Sequence, residues 1–173
     1  MTRWTSFALA AAMALAASAA AAQTVILVRH GEKVDDSADA ALSEAGLARA
    51  QALAQVVRQA GITQVFSTPL QRTRATVAPA AQAAGLPLRD LDLEGGVAVH
   101  AARTAATLRA LAADDIALVA GHSNTIPDIV RALGVTDAAD IADCEFDRLT
   151  LIELDEGAPR VIIARYGAPS GTC

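Results

Sequence analysis

Three short segments combine histidine, arginine and small polar residues directly after apolar runs. The first is Arg29-His30-Gly31-Glu32, which follows the run TVILV. The second covers residues 67–73 (STPLQRT) after QVF, and the third covers residues 121–124 (GHSN) after IALVA. In open α/β sheets, ligands bind beyond the carboxyl ends of the strands. If the three runs are parallel strands, two histidines and two arginines meet at one end of the sheet.

This set of side chains suits a bound oxyanion such as a phosphoryl group. The guanidinium groups of Arg29 and Arg72 offer planar forks of donors that match phosphate oxygens, and they stay charged at any relevant pH. Because nearby positive charge disfavours the imidazolium form, His30 and His122 are expected to stay neutral and nucleophilic. Gly31 has no side chain, so a tetrahedral group is able to approach the backbone there.

Strand and helix patterns alternate along the chain, which predicts an α/β fold with a largely parallel sheet. Continuous apolar runs at residues 24–28 and 116–120 are typical of strands that are buried on both faces. Shorter strands are predicted over residues 64–67 and 86–91, and a terminal hairpin over residues 149–154 and 160–165. The predicted helices cover residues 42–60, with Ser43 as the cap, 69–84, 100–113 and 125–133.

The first 22 residues have the pattern of a secretory signal peptide. Arg3 precedes an uncharged stretch rich in Ala, Leu and Met, and the small residues before Gln23 predict cleavage after Ala22. A membrane anchor is the alternative, but the stretch is near the lower length limit for a spanning helix and consists mostly of alanine. The pattern therefore predicts one domain over residues 23–173 that is periplasmic or secreted.

Charge and cysteine content narrow the possible partners. The net charge is −5, and an acidic balance argues against general binding to nucleic acid, which needs a basic surface. Cys144 and Cys173 are the two cysteines, and in an oxidising compartment an isolated pair indicates a disulfide. Zinc is the alternative, but two cysteines and three histidines at scattered spacings match no ligand pattern.

The three polar motifs together resemble the histidine phosphatase superfamily, which is also called phosphoglycerate-mutase-like. The matching segments are RHGE at 29–32, STPLQRTRAT at 67–76 and GHSNT at 121–125. The segment LSEAGLARAQALA at 42–54 resembles the usual first helix of that superfamily. The resemblance implies a three-layer α/β/α sandwich with a mostly parallel central sheet. It implies no metal and no cofactor, because arginine and histidine supply the positive charge.

The resemblance also implies a role for each matching residue. His30 attacks phosphorus in line and becomes a phosphohistidine. Arg29 and Arg72 hold the phosphoryl oxygens and His122 donates to another, which stabilises the charge of a loose transition state. Gly31 and Ser123 are expected to complete the phosphate-binding set.

The carboxylic acid that protonates the leaving oxygen is where the chain departs from the pattern of the superfamily. Acid-phosphatase members carry Asp directly after the second histidine, and this chain has Ser123 there. Mutase-like members carry Glu in the loop after the second helix, where Asp92 and Glu94 are the candidates. Glu94 is preferred because two adjacent glycines let it approach the site, and Glu32 is the remaining candidate. His100 is predicted to be a surface residue at a helix start.

The leading hypothesis is a small exported phosphatase that hydrolyses phosphomonoesters through a phosphohistidine. Its predicted substrate is a phosphorylated small molecule or an envelope sugar phosphate. One alternative is a phosphohistidine-protein phosphatase acting on a phosphoprotein, and a second is a phosphoglycerate-mutase-type phosphotransferase. The alternative from another class is a non-catalytic phosphate-binding protein with the same fold.

Overall fold

Ten elements alternate along the part of the chain that the computed structural model describes, residues 22–155 and 157–172. The strands are β1 (Gln23–Arg29), β2 (Gln64–Ser67), β3 (Leu88–Asp90), β4 (Ile116–Gly121), β5 (Arg148–Leu154) and β6 (Arg160–Arg165). The helices are α1 (Glu44–Val57), α2 (Gln71–Ala84), α3 (Gly96–Arg109) and α4 (Ile126–Ala132).

The strands form one sheet in the order β3-β2-β4-β1-β5-β6. The four strands from β3 to β1 are parallel, whereas β5 is antiparallel to β1 and β6 is antiparallel to β5. The predicted α/β fold with a mostly parallel sheet is therefore confirmed, as is the terminal hairpin formed by β5 and β6.

Helices cover both faces of the sheet because the parallel strands are apolar on both sides. In β1, Val25 and Leu27 belong to a core that includes Leu108 of α3 and Ile129 of α4. Ile26 and Val28, which alternate with them along the strand, point to the opposite face. They belong to a second core that includes Leu53 of α1 and Val77 and Ala80 of α2. This arrangement is the three-layer sandwich that the resemblance implied.

The third helix begins four residues earlier than its sequence pattern predicts. Gly95 and Gly96 have φ angles of +87° and +83°, a conformation that only glycine adopts without strain, and they turn the chain directly into α3. The helix therefore begins at Gly96, and His100 lies in its second turn rather than at its start. This shift decides where the His100 side chain lies.

Two sequence predictions fall on residues outside the described part of the chain. The predicted signal peptide covers residues 1–22, of which only the last is described, and Cys173 is also outside. Cleavage, export and the Cys144–Cys173 disulfide therefore stay predictions. Among the described residues, no helix is long and apolar enough to cross a membrane.

Candidate active site

The strand registers bring His30 and His122 together at the carboxyl end of the sheet. Arg29 is opposite Gly121 in the β1–β4 pair, so the residue that follows each strand reaches the same edge. The backbone N–H of His30 donates to the Gly121 carbonyl oxygen at 2.9 Å. The two imidazole rings meet edge to face, with centroids 5.3 Å apart.

An open pocket of about 420 Å³ lies in front of these two histidines. Its described lining contains cations, imidazoles, small polar groups and a few apolar side chains, but no Asp or Glu. Arg29 and Arg72, the two arginines that the sequence motifs single out, both belong to it. The full lining is Arg29, His30, Lys33, Leu70, Arg72, Leu93, Gly96, Val97, His100, His122, Ser123, Asn124 and Thr125.

The hydrogen bond of His30 selects its reactive nitrogen. Nδ1 lies 2.7 Å from the Gly31 carbonyl oxygen, and because a carbonyl only accepts, Nδ1 carries the proton. Nε2 therefore keeps the lone pair in the neutral ring. Burial lowers the pKa of His30 to about 4, with Arg29 and Arg72 acting in the same direction. The ring is consequently neutral and nucleophilic at physiological pH.

His122 is held from two sides. Its backbone N–H donates to Thr125 Oγ1 at 2.9 Å, and its ring Nε2 lies 3.0 Å from Thr68 Oγ1. Burial lowers its pKa to about 3, and the neighbouring His30 and Arg72 act in the same direction. His122 is therefore neutral in the ligand-free site.

Arg29 lines the pocket, and its guanidinium group also contacts the loop over residues 142–146. Its Nη1 donates to the backbone carbonyls of Ala142, Asp143 and Glu145, at 2.9, 2.8 and 3.2 Å. The group also stacks on the ring of Phe146, with Cζ 4.0 Å from the ring centroid. The sequence did not predict this contact, which joins the first motif to a segment more than 110 residues away. The loop thus positions the arginine.

Arg72 reaches the pocket from the first turn of α2. Its Nη1 donates to the Ala38 carbonyl at 2.9 Å, and the residue lines the pocket. Among the described residues, Nε of Arg72 and Nε of Arg29 are both buried without a hydrogen-bond partner. Buried donors are nearly always paired in folded proteins, so these two groups favour a bound anion.

Gly31 is a glycine for a different reason from the one that the sequence suggested. A Cβ at Gly31 would lie 2.9 Å from the Gly46 carbonyl oxygen in α1, and its backbone N–H already donates to Thr76 Oγ1 at 2.9 Å. Gly31 is therefore required because helix α1 packs closely against it, and not because a phosphate approaches its backbone. Ser123 does line the pocket.

Glu32 is held by Arg49 and does not line the pocket. Arg49 is 4% exposed and reaches both carboxylate oxygens, with a shortest distance of 2.6 Å to Oε1. Although burial alone would raise the pKa of Glu32, the hydrogen bonds and charge of Arg49 outweigh it and lower that pKa. Arg49 also donates to the Tyr166 carbonyl at 3.0 Å. Glu32 therefore stabilises the fold behind the motif and remains ionised.

Asp92 and Glu94 are both exposed and neither lines the pocket. Asp92 accepts from the Glu94 backbone N–H at 2.8 Å and pairs with Arg103 at 3.3 Å, which ties it to the outer side of α3. Leu93, between them, is the residue of this loop that faces the site. The structure thus brings none of the three predicted carboxylates into the pocket lining.

His100 lines the pocket close to where the sequence predicted a carboxylate, Asp92 or Glu94. The prediction that it lies on the surface is wrong, because it is 1% exposed and lines the pocket beside His122. Its Nδ1 donates to the Asp92 carbonyl at 2.6 Å. Its Nε2 is buried without a hydrogen-bond partner among the described residues. His100 is buried because Gly95 and Gly96 start α3 four residues earlier than predicted. The adjacent pair of glycines was the signal in the sequence that could have indicated this early start.

Glu94→Gln tests whether the preferred carboxylate acts in catalysis. Because Glu94 is exposed and outside the pocket lining, we expect kcat for an alkyl phosphate to change by less than about threefold. Glu94→Gln should be assayed with both alkyl and aryl phosphates, since only a poor leaving group needs a proton donor. A loss of about 10² that is confined to the alkyl ester would identify Glu94 as the acid.

A sequence model of the histidine phosphatase superfamily (branch 1) matches residues 25–93, which contain His30 and Arg72. The protein named "Probable phosphoglycerate mutase GpmB" in Yersinia pestis (strain Pestoides F) is 39% identical over 71 residues. That match covers 37% of this chain and 33% of the relative. The matched segment therefore spans about a third of the length of the curated relative.

Solved structures match over most of the chain. The mycobacterial glucosyl-3-phosphoglycerate phosphatase has a TM-score of 0.62 and 17% identity, and the match covers 85% of this chain and 99% of that one. SixA from Agrobacterium tumefaciens, provisionally assigned as a phosphohistidine phosphatase, has a TM-score of 0.61 and 18% identity, covering 84% and 98%. At these identities, the two likenesses concern the fold.

Proposed function

Since this chain belongs to the histidine phosphatase superfamily, we propose that it is an exported phosphatase that hydrolyses phosphomonoesters through a phosphohistidine on His30. One observation supports this proposal above the others. His30 is neutral, its proton is held on Nδ1 by the Gly31 carbonyl, and it lines a pocket that it shares with two arginines and a second histidine. That is the arrangement an attacking nitrogen needs.

The proposed reaction has two displacement steps. In the first, the Nε2 lone pair of His30 forms a bond to phosphorus as the bond to the leaving oxygen breaks, and the alkoxide takes up a proton from solvent. In the second, water attacks phosphorus and releases a proton to solvent, the N–P bond breaks, and His30 regains its lone pair as inorganic phosphate leaves. Arg29, Arg72 and His122 stabilise the negative charge of the phosphoryl oxygens in both steps.

The substrate class that we propose is a phosphorylated small molecule such as an envelope sugar phosphate. The open pocket of about 420 Å³ has room for a ligand of that size, and the phosphatase activity named for the mycobacterial fold relative agrees with this class. The likeness to SixA supports a phosphoprotein as the alternative substrate. The sequence match to GpmB supports mutase-type phosphoryl transfer as the alternative reaction. Export after cleavage at Ala22 belongs to the same proposal, and N-terminal sequencing of the mature protein tests it.

A second candidate is a phosphate-binding protein without turnover. It is favoured by one observation, namely that the described pocket lining contains no Asp or Glu to protonate a leaving group. Its anion site would use the same two arginines and two histidines. The two candidates thus share a ligand and differ in whether a covalent bond forms.

Phosphate release from an aryl phosphate distinguishes the two candidates. An aryloxide leaves with little protonation, so a histidine phosphatase turns it over even when its acid is weak. We expect release by the wild-type protein that saturates with substrate and is inhibited by inorganic phosphate. A wild-type protein that binds phosphate but releases none from the aryl ester would establish the non-catalytic function instead.

A further inference from the structure

Two threonine hydroxyl groups connect the ring of His122 to backbone carbonyls. Thr68 Oγ1 lies 3.0 Å from His122 Nε2 and 2.7 Å from Thr73 Oγ1. Thr73 Oγ1 in turn lies 2.8 Å from the Leu70 carbonyl oxygen and 3.0 Å from that of Thr68. Both threonines are fully buried, so solvent does not compete for these bonds. We call this chain of hydroxyls, Thr73 and Thr68, the threonine relay.

The carbonyls at the end of the threonine relay set the direction of its hydrogen bonds. A carbonyl oxygen only accepts, so Thr73 donates its single proton there. Thr68 then donates to Thr73, and His122 must donate from Nε2 to Thr68. In this direction every hydrogen bond of the threonine relay has one donor and one acceptor. In the reverse direction, the Thr73 oxygen would face two carbonyl oxygens at 2.8 and 3.0 Å without a proton between them, which is repulsive.

The threonine relay therefore places the proton of neutral His122 on Nε2 and the lone pair on Nδ1. Within the described part of the chain, Nε2 is the one ring nitrogen of His122 that has a hydrogen-bond partner. Nδ1 is left for the pocket, which His122 lines. A lone pair facing a phosphoryl oxygen repels it, so neutral His122 has no donor to offer a phosphate dianion. It becomes a donor when a proton is added to Nδ1.

We propose that phosphate binding is a proton-uptake step, in which Nδ1 of His122 takes up the proton and Thr68 and Thr73 are the positioning residues that require it. The identity of the anion rests on the proposed function, but no turnover is needed. When a dianion binds, the proton comes from solvent. When a monoanion binds, it moves from the P–OH group to Nδ1. No bond to phosphorus forms or breaks.

Electrostatics support both states of His122. In the free site, burial and the like charges around the ring hold its pKa at about 3, so the ring is neutral. The groups that face it are His30 after β1, Arg72 on α2 and His100 on α3, with Arg29 and Lys33 at the same pocket. A bound dianion adds two negative charges within the pocket, which favours the imidazolium. Proton and phosphate therefore bind together.

The expected signature is a pH-dependent affinity for inorganic phosphate. Because the complex carries one more proton than the free protein and dianion, binding weakens as the pH rises. The dissociation constant should increase about tenfold per pH unit once the ligand is mainly dianionic. Calorimetry at pH 8 in buffers of different ionisation enthalpy should count the uptake of about one proton per phosphate.

Substitutions in the threonine relay should remove this linkage without removing the phosphate ligands. Thr68→Val takes away the acceptor for Nε2–H, and Thr73→Val frees the Thr68 hydroxyl to donate to Nε2. In either variant neutral His122 carries its proton on Nδ1 and donates to the dianion directly. Proton uptake should fall toward zero and the pH dependence should flatten. Thr68→Ser and Thr73→Ser keep the hydroxyls and should behave as wild type.

Thr104→Val is the matched control, because Thr104 is also a buried threonine but lies in α3 outside the pocket lining. It should retain the uptake of one proton. The chain has three histidines in all, so ¹⁵N spectra with single-histidine variants will assign the ring of His122. The free wild-type protein should show the Nε2–H tautomer of that ring.

Three results would overturn the proposal: an Nδ1–H tautomer in the free protein, phosphate binding without proton uptake, or valine variants that still take up a proton. If the valine variants do not fold, the wild-type tautomer and proton count decide alone. These outcomes are separate from the proposed function. A protein that takes up a proton with phosphate but releases none from an aryl ester contradicts catalysis and leaves this inference standing.

Discussion

Replacing His30 with alanine is expected to lower kcat for an aryl phosphate by at least about 10⁴-fold, because it removes the nucleophile. The other two histidines of the pocket are not expected to replace it, because Nε2 of His122 is bonded to Thr68, its Nδ1 takes up a proton when the phosphoryl group binds, and Nε2 of His100 is buried. The measurement is steady-state phosphate release, compared with the wild-type protein at equal concentration.

Two controls separate loss of the nucleophile from loss of the fold. His30→Ala should still bind inorganic phosphate, because Arg29 and Arg72 remain. Free imidazole should restore part of the activity, since it fits the space that the ring vacates and offers the same lone pair. Retention of more than about a hundredth of wild-type activity without imidazole would show that another group attacks phosphorus.

Replacing Arg72 with alanine is expected to lower kcat/KM by about 10² to 10³. The residue lines the pocket, its Nη1 is held by the Ala38 carbonyl, and its Nε is buried without a hydrogen-bond partner among the described residues. Because phosphoryl oxygens gain charge in the transition state, most of the loss should be in kcat. Arg72→Lys should recover only part of it, since lysine lacks the planar fork.

Arg74→Ala is the matched control for Arg72. The two arginines are on the same turn of α2, but Arg74 pairs with Asp90 at 2.7 Å in a half-exposed salt bridge outside the pocket lining. Exposed ion pairs contribute about 1 kcal/mol or less, so activity should change by less than about threefold. Equal losses in the two variants would mean that Arg72 acts through general positive charge rather than through contact.

The sequence predicted those parts of the fold that local pattern controls. TVILV and IALVA are buried strands because their apolar residues face cores on both sides of the sheet. Ser43 caps α1 by accepting from the Gly46 N–H, as its position before the helix suggested. The pairing of His30 with His122 also followed, because parallel strands that end in polar motifs bring those motifs to one edge.

The features that the sequence did not predict depend on contacts between distant segments. Burial of His100 follows from the left-handed pair Gly95-Gly96, which a pattern of apolar residues does not reveal. The contact of Arg29 with Phe146 and the carbonyls of the 142–145 loop spans more than 110 residues. Gly31 is required by the close approach of Gly46, which depends on how α1 packs.

The threonine relay shows the same limit at the level of single atoms. Thr68 and Thr73 are in the second motif, but their spacing alone does not show which group each hydroxyl meets. Only the positions of His122 Nε2 and of the Leu70 carbonyl reveal the direction of the hydrogen bonds. The sequence therefore predicted that His122 lies in the site, but it did not predict which ring nitrogen of His122 carries the proton.

Trapping the covalent intermediate tests the central claim most directly. Wild-type protein should be mixed with an aryl phosphate, quenched at alkaline pH within milliseconds and digested for tandem mass spectrometry. Our account predicts a phosphoryl group on the peptide that contains His30, stable in alkali, lost in acid and absent from His30→Ala. Turnover of the ester with phosphate on another residue, or with no covalent phosphoryl group under rapid quenching, would contradict it.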